Sequence, residues 1–93
     1  MTLMLGNIAL TPPVILAPMA GITDLPFRQI VARFGAGLVV SEMVASEDMM
    51  RAQPLARARA ELGIAEGATS VQLAGRDPHW MAEAARYLQG QGA

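Results

Sequence analysis

The sequence predicts an α/β chain built on a parallel sheet, and three observations carry the prediction. A short apolar run at residues 14–17 and segments at 38–41 and 69–74, the last with Gln72 between apolar Val71 and Leu73, have strand length and character. Each is followed by a segment with helical features, apolar at i, i+3, i+4 and i+7 after the first and third runs. Strand-then-helix units repeated in succession demand long crossovers, which place the strands parallel and the connections right-handed. On pattern alone, an open doubly wound sheet and a closed eight-stranded barrel fit these units almost equally.

Ahead of the first unit, residues 3–5 and 8–10 flank Gly6-Asn7, a dipeptide suited to a two-residue hairpin turn. This predicts a small N-terminal β-hairpin of the kind that plugs the bottom of a barrel. Thr11-Pro12-Pro13 separates it from Val14, Ile15, Leu16 and Ala17, whose unbroken apolarity suits a strand covered on both faces. Pro18 cannot donate to a sheet and ends the strand. A helix follows, capped by Thr23 or Asp24, with Phe27, Ile30, Val31 and Phe34 as its apolar stripe and Gly35 placed to end it. Arg28, one turn in, reads as a surface or interhelical ion-pairing residue.

After the second strand, Ser46 followed by Glu47 and Asp48 resembles a capped helix start with acids in its first turn. Pro54 breaks a long helix there, so the second connection is a short helix, a break, and another short helix over residues 55–62. Residues 65–68 are expected to form a loop and 69–74 the third strand. Asp77-Pro78 then opens a helix, Asp at the cap and Pro at the first helical position. Its stripe is Met81, Ala84, Ala85 and Leu88, with His79 a surface residue and Trp80 a packing one.

A hydrophobic share of 53% and a formal charge of −1 describe a globular chain without a general attraction for phosphate backbones. All 7 basic residues are Arg. The absence of Cys excludes disulfides and thiolate metal sites, and the single His79 leaves no His-based metal site, so no metal is expected. The longest apolar stretch, around residues 14–22, is interrupted by Pro18 and Gly21 and falls short of a bilayer span. With no charged secretory start, a cytoplasmic location is expected. At 93 residues the chain is far shorter than a complete barrel, which takes roughly 250. It stops after a helical pattern, where a repeat would place its next strand, and reads as a piece of a larger domain.

Ligands of parallel α/β folds bind outside the carboxyl ends of the strands. Three groups are placed there: Pro18-Met19-Ala20, Ser41-Glu42-Met43, and Gln72 within the third strand. Ala20 and Gly21 have too little side chain to keep a flat ligand from the main chain, although an ordinary strand-to-helix loop accounts for the same residues. Gln72 shares one strand face with Ser70 and Ala74, opposite Val71 and Leu73. Its amide suits either the edge of a ring bearing donors and acceptors or neighbouring backbone. Met19 alone fits core filling as readily as a ligand contact. Glu42 is the candidate on the substrate side, in a structural or substrate-orienting role.

The run from Ala17 to Arg28, the strand Gly37 to Met43 ending Val40-Ser41-Glu42-Met43, and Ser70-Val71-Gln72-Leu73-Ala74-Gly75 followed by Asp77-Pro78 resemble the opening of the tRNA-dihydrouridine synthases, closest to the bacterial B-type, NifR3-like branch. The resemblance runs from about Ile8 to the last residue, with the blocks in order. It implies that residues 1–93 are the first three βα units of a TIM (β/α)8 barrel, the rest of the barrel and a helical C-terminal tRNA-binding domain lying elsewhere. It further implies an oxidoreductase that reduces uridine in tRNA to 5,6-dihydrouridine, with FMN as cofactor and NADPH as its reductant. Pro18, Met19, Ala20 and Gln72 correspond to positions that hold FMN, the first three through backbone and Met19 also by packing on the isoalloxazine. The flavin N5 passes hydride to uracil C6, and a cysteine beyond Ala93 protonates C5. No catalytic residue is then expected within this chain.

Two alternatives stay open: another FMN barrel acting on a small pyrimidine, and a non-catalytic βα-repeat fragment. In either case the exposed edges of the first and third strands invite self-association.

Overall fold

The computed structural model describes residues 1–63 and 67–93. Of the loop expected at 65–68, Ala65 and Glu66 lie outside the described residues, and Ala68 belongs instead to the strand that follows. The hairpin forms as read: β1 (Leu3–Leu5) and β2 (Ile8–Leu10) pair antiparallel, Leu3 opposite Leu10 and Leu5 opposite Ile8. Of its two turn residues only Gly6 has positive φ, at 60°, which is the pattern of a type II′ turn. Leu10 is its one buried residue and anchors the hairpin to the body of the chain.

β3 (Ile15–Leu16), β4 (Leu38–Val40) and β6 (Ala68–Ser70) form a parallel sheet in the order β3-β4-β6, so each strand neighbours the next after a crossover. β5 (Val44–Ala45) and β7 (Leu73–Ala74) also pair parallel, carrying the β4 and β6 ribbons onward after a break in each. Val40 faces Ser70 and Val44 faces Leu73, so three residues on one ribbon oppose two on the other. This is a β-bulge, a local device that re-aims side chains.

Two expectations about these strands are corrected. The third strand is not continuous over residues 69–74, because the extra residue on its neighbour breaks the ladder at Val71 and Gln72. The first strand is not covered on both faces. Among the described residues it pairs only with β4, and Val14 and Ile15 remain about half exposed.

The helices are α1 (Leu25–Arg33), α2 (Ser46–Met50), α3 (Pro54–Arg59) and α4 (Pro78–Gln91). Asp24, not Thr23, caps α1, accepting the Phe27 N–H at 3.0 Å. Asp24→Ala is expected to lower stability by about 1 kcal/mol, the usual worth of an N-cap, read as a shift in the urea midpoint. Asp77 caps α4 by accepting the His79 N–H at 2.9 Å, with Pro78 at the first helical position. Ser46 does not cap α2. Its hydroxyl donates to the Ala74 carbonyl at 2.9 Å, fastening α2 to β7, and it stands inside the helix after Ala45. Pro54 opens α3 as its first residue, and that helix ends at Arg59, short of Leu62.

The α1 face is the largest correction. Ile30 and Phe34 point outward, Phe34 at 89% exposure, while Arg28 and Ala32 are buried. Residues 28 and 32 are one turn apart, as are 30 and 34, on nearly opposite sides of the helix. The apolar stripe therefore does not mark the inner face. Small Ala32 lets the helix approach β4, and Arg28 fills the remaining space as a donor.

The main core joins Val44 of β5 to Met49, Ala56, Ala60, Ala84 and Leu88, with Val71, Leu73 and Tyr87 packed against it. Arg57 fastens α3 to both neighbours. Its Nε donates to the Met49 carbonyl at 2.6 Å, Nη1 bonds the Tyr87 hydroxyl, and the guanidinium lies 4.4 Å from the centre of the Tyr87 ring. Trp80 is half-buried beneath the Arg51 guanidinium, 5.3 Å from the ring centre, and His79 is exposed.

Candidate functional site

The chain leaves β3 at Leu16 and turns at once into a loop held by Thr23. The Thr23 side chain is fully buried, and its hydroxyl accepts the Met19 N–H at 3.0 Å and donates to the Met19 carbonyl at 3.1 Å. The Met19 carbonyl also accepts the N–H groups of Ile22 and Thr23, both at 3.0 Å. Adjacent Thr23 and Asp24 thus divide the work, one fixing the loop and the other capping the helix.

This narrows the expectation that backbone groups of all three residues 18–20 face a ligand. Both polar groups of Met19 are engaged within the loop. Pro18 has a carbonyl and no N–H, and neither it nor the two main-chain groups of Ala20 bond a described residue. Pro18, Met19 and Ala20 are all exposed, Met19 at 38%.

The bulge after β4 shapes the second part of the site. Ser41 is buried, its N–H donating to the Ser70 carbonyl at 2.9 Å. Its hydroxyl accepts the Gln72 N–H at 3.1 Å and donates to the Glu42 carbonyl at 2.9 Å, occupying the gap where the ladder is interrupted. The Gln72 carbonyl accepts the Val44 N–H at 2.8 Å. The backbone of Gln72 is therefore fixed on both sides, whereas its side chain is exposed and bonds no described residue.

Glu42 turns inward and is 8% exposed. Oε2 accepts the Gly21 N–H at 2.5 Å, and Oε1 stands 2.6 Å from Arg59 Nε. The latter is a charge contact rather than a hydrogen bond, since the Nε–H is not directed at the oxygen. The loop after β3, the bulge after β4 and the break after β6 are in this way tied together along one rim, Gly21 to Glu42 and Ser41 to Gln72.

Behind the rim lies Arg28, whose fully covered guanidinium was not anticipated. Nε donates to the Thr23 carbonyl at 3.2 Å, Nη1 to that of Glu61 at 3.0 Å and Nη2 to that of Arg59 at 3.4 Å. These last carbonyls close the C-terminal end of α3, where a cation complements the helix dipole. Burial holds the Arg28 pKa below the ordinary arginine value, partly offset by the charges of Asp24, Glu61 and Glu42. An arginine so placed remains charged at neutral pH.

Thr23, Arg28, Ser41 and Arg59 contribute in ways that sequence reasoning missed, although Ser41 was placed at the strand ends with Glu42. Adjacent cap candidates at Thr23 and Asp24 were the one available signal. The other three depend on contacts between residues far apart in the chain. An open groove of about 840 Å³ runs along the free edge of β6, lined by Leu38, Ala68, Ser70, Val71 and Leu88 among others, with Leu5 and Ile8 of the hairpin at one end. It includes none of Pro18, Met19, Ala20, Glu42 and Gln72. Among the described residues no cluster of His, Asp and Glu could hold a metal, and no helix is long and apolar enough to cross a membrane.

Parallel strands in sequential order, with loop, bulge and buried carboxylate gathered at their carboxyl ends, define an α/β protein with its candidate site on that rim. Residues 15–93 match the family described as Dihydrouridine synthase (Dus), and the chain belongs to that family. It is 62% identical over 94 aligned positions to a probable tRNA-dihydrouridine synthase of Rhodobacter capsulatus, covering 100% of this chain and 29% of the relative. A probable tRNA-dihydrouridine synthase of Rickettsia conorii is 52% identical over 96% of this chain and 27% of its own length. tRNA-dihydrouridine synthase B of Vibrio vulnificus is 43% identical over 96% and 28%. The chain thus spans less than a third of the curated relatives it matches. No solved structure matches.

Proposed function

We propose that this chain supplies the ring-binding part of an FMN-dependent enzyme that reduces uridine in tRNA to 5,6-dihydrouridine, as the names of its relatives suggest. The observation that carries the proposal is a set of polar groups on one rim that bond no described residue: the Pro18 carbonyl, the N–H and carbonyl of Ala20, and the exposed Gln72 amide. These groups fit a flavin. Its pyrimidine edge alternates donors and acceptors, which a primary amide and a main-chain N–H and carbonyl can match. Exposed Met19 offers a polarizable surface to an aromatic ring.

FMN reduced by NADPH supplies hydride to the uracil when bound. The residues of this chain bind and orient: Thr23 keeps Met19 in its turn, Ser41 holds the Gln72 backbone, and Ala20 leaves room for a flat ligand close to the main chain. The family resemblance assigns delivery of the C5 proton to a cysteine, and this chain has none, so in this proposal the donor lies outside these 93 residues. Closure of the three-stranded sheet into a barrel, and the tRNA-binding surface, likewise belong to the larger protein in this proposal. The order β3-β4-β6 with parallel pairing fits a barrel segment, and it fits equally the first half of a doubly wound sheet, whose order reverses only at a later switch point.

Titration of the purified chain with FMN, followed by flavin fluorescence, tests the proposal. Saturable quenching is expected, weakened about tenfold in Gln72→Ala, the worth of one or two ligand hydrogen bonds. Gln72 is exposed, so the variant should melt like the parent chain. Equal affinity in chain and variant would remove Gln72 from the site, and no saturable binding would overturn this chain as a flavin-binding unit.

A further inference from the structure

We infer that Glu42 is a positioning residue, its carboxylate clamped between the Gly21 N–H and the Arg59 guanidinium so as to set the shape of the 18–21 loop. The inference rests on the flavin reading for what that loop presents, and on geometry alone for the clamp. Both carboxylate oxygens are engaged, Oε2 by Gly21 at 2.5 Å and Oε1 by Arg59 at 2.6 Å, in a residue 8% exposed. The carboxylate is turned into the protein toward these two groups, and its 8% exposure leaves it little surface to offer a substrate.

The local backbone is built for this arrangement. Gly21 has φ 75°, a left-handed conformation that costs a glycine little, and it directs the N–H toward Glu42. The bulge between β4 and β5 re-aims Glu42 from the strand's alternating faces toward the loop after β3. A charged acceptor makes the stronger kind of hydrogen bond. With the Met19 main chain already committed to Thr23, fixing Gly21 leaves Ala20 between two held neighbours, its own polar groups directed at neither.

Arg59 has a position of its own. Its carbonyl accepts from the buried Arg28 guanidinium, which also holds the Thr23 carbonyl. The C-terminal end of α3 is thereby braced against α1, and Glu42 reaches that brace from β4. The loop is held from two sides, through Thr23 and through Glu42, each connected to Arg28.

The test follows the Gly21 amide in ¹⁵N–¹H spectra of the full 93-residue chain, with and without FMN. In Glu42→Ala the Gly21 proton is expected to move upfield and exchange with solvent about tenfold faster. Glu42→Gln, which keeps an accepting oxygen, restores part of that change. Arg59→Ala, at a side chain 41% exposed with no hydrogen bond to a described residue of the loop, moves the same resonance in the same direction by less, and adds nothing to Glu42→Ala. FMN affinity falls about tenfold in Glu42→Ala, with Gln72→Ala as the contrast that lowers affinity and leaves the Gly21 amide in place. A Gly21 resonance indifferent to both Glu42 and Arg59 overturns the clamp. If the amide responds as expected and the parent chain binds no FMN, the clamp stands and the flavin reading falls.

Discussion

Arg28→Ala is expected to be among the most destabilising substitutions in this chain, costing at least about 3 kcal/mol. The guanidinium is fully covered and donates to three carbonyls, those of Thr23, Arg59 and Glu61. Removing it leaves the buried Thr23 carbonyl without its donor, at about 1–3 kcal/mol, takes the donor from the part-buried Arg59 and Glu61 carbonyls, and opens a cavity between α1 and α3. Arg28→Lys should recover only a minor part, since an ammonium cannot reproduce a planar fork that reaches three separate oxygens. Urea denaturation read by circular dichroism measures both. A variant within about 0.5 kcal/mol of the parent would show that the guanidinium is an exposed group, with the small effect ordinary for surface sites.

Gly37→Ala is the second large effect, about 3 kcal/mol, and its cause is steric. Gly37 has an ordinary φ, so conformational freedom is not the reason a glycine stands there. A Cβ at this position would fall well inside contact distance of the Pro12 carbonyl oxygen and 3.0 Å from the Thr11 nitrogen. Both obstacles are main chain, so no rotamer change relieves them, and overpacking of this kind forces the backbone to shift. Gly37 also donates to the Val14 carbonyl at 2.9 Å, at the start of the pairing between β3 and β4. Gly90→Ala is the control. An added Cβ meets nothing there, and the substitution in the interior of α4 should raise stability by up to about 1 kcal/mol. Equal behaviour of the two variants would dismiss the clash.

Much of the fold was legible because its signals are local. The hairpin follows from Gly6-Asn7, the starts of α1 and α4 from Asp24 and Asp77, and the parallel strands from their crossovers. Gly37 and Arg28 show where local reading stops. The need for a hydrogen side chain at 37 arises from residues 11 and 12, and the burial of a guanidinium at 28 from carbonyls at 59 and 61. The outward face of α1 was misread because periodicity locates an apolar face without saying what covers it. The break at Val71-Gln72 is set by one extra residue on a different ribbon, which no window over residues 69–74 contains. The candidate residues Pro18, Met19, Ala20, Glu42 and Gln72 were named in advance. Their linkage was not, because it passes through Thr23, Ser41 and Arg59, polar residues of ordinary type in ordinary positions.

The parallel strands all begin beside the hairpin, where Gly37 meets Thr11 and Pro12, and all end at the rim where Gly21 meets Glu42. Position along a strand is therefore also a position on an evolutionary scale. Substitutions near the strand starts are filtered by whether the chain survives at all, and those near the ends by what it can recognise. Because the two filters act at opposite ends of each ribbon, a lineage can revise its rim without renegotiating its foundation. In a library of all single substitutions, selection for abundance and selection for ligand capture should draw two separate bands across the same three strands.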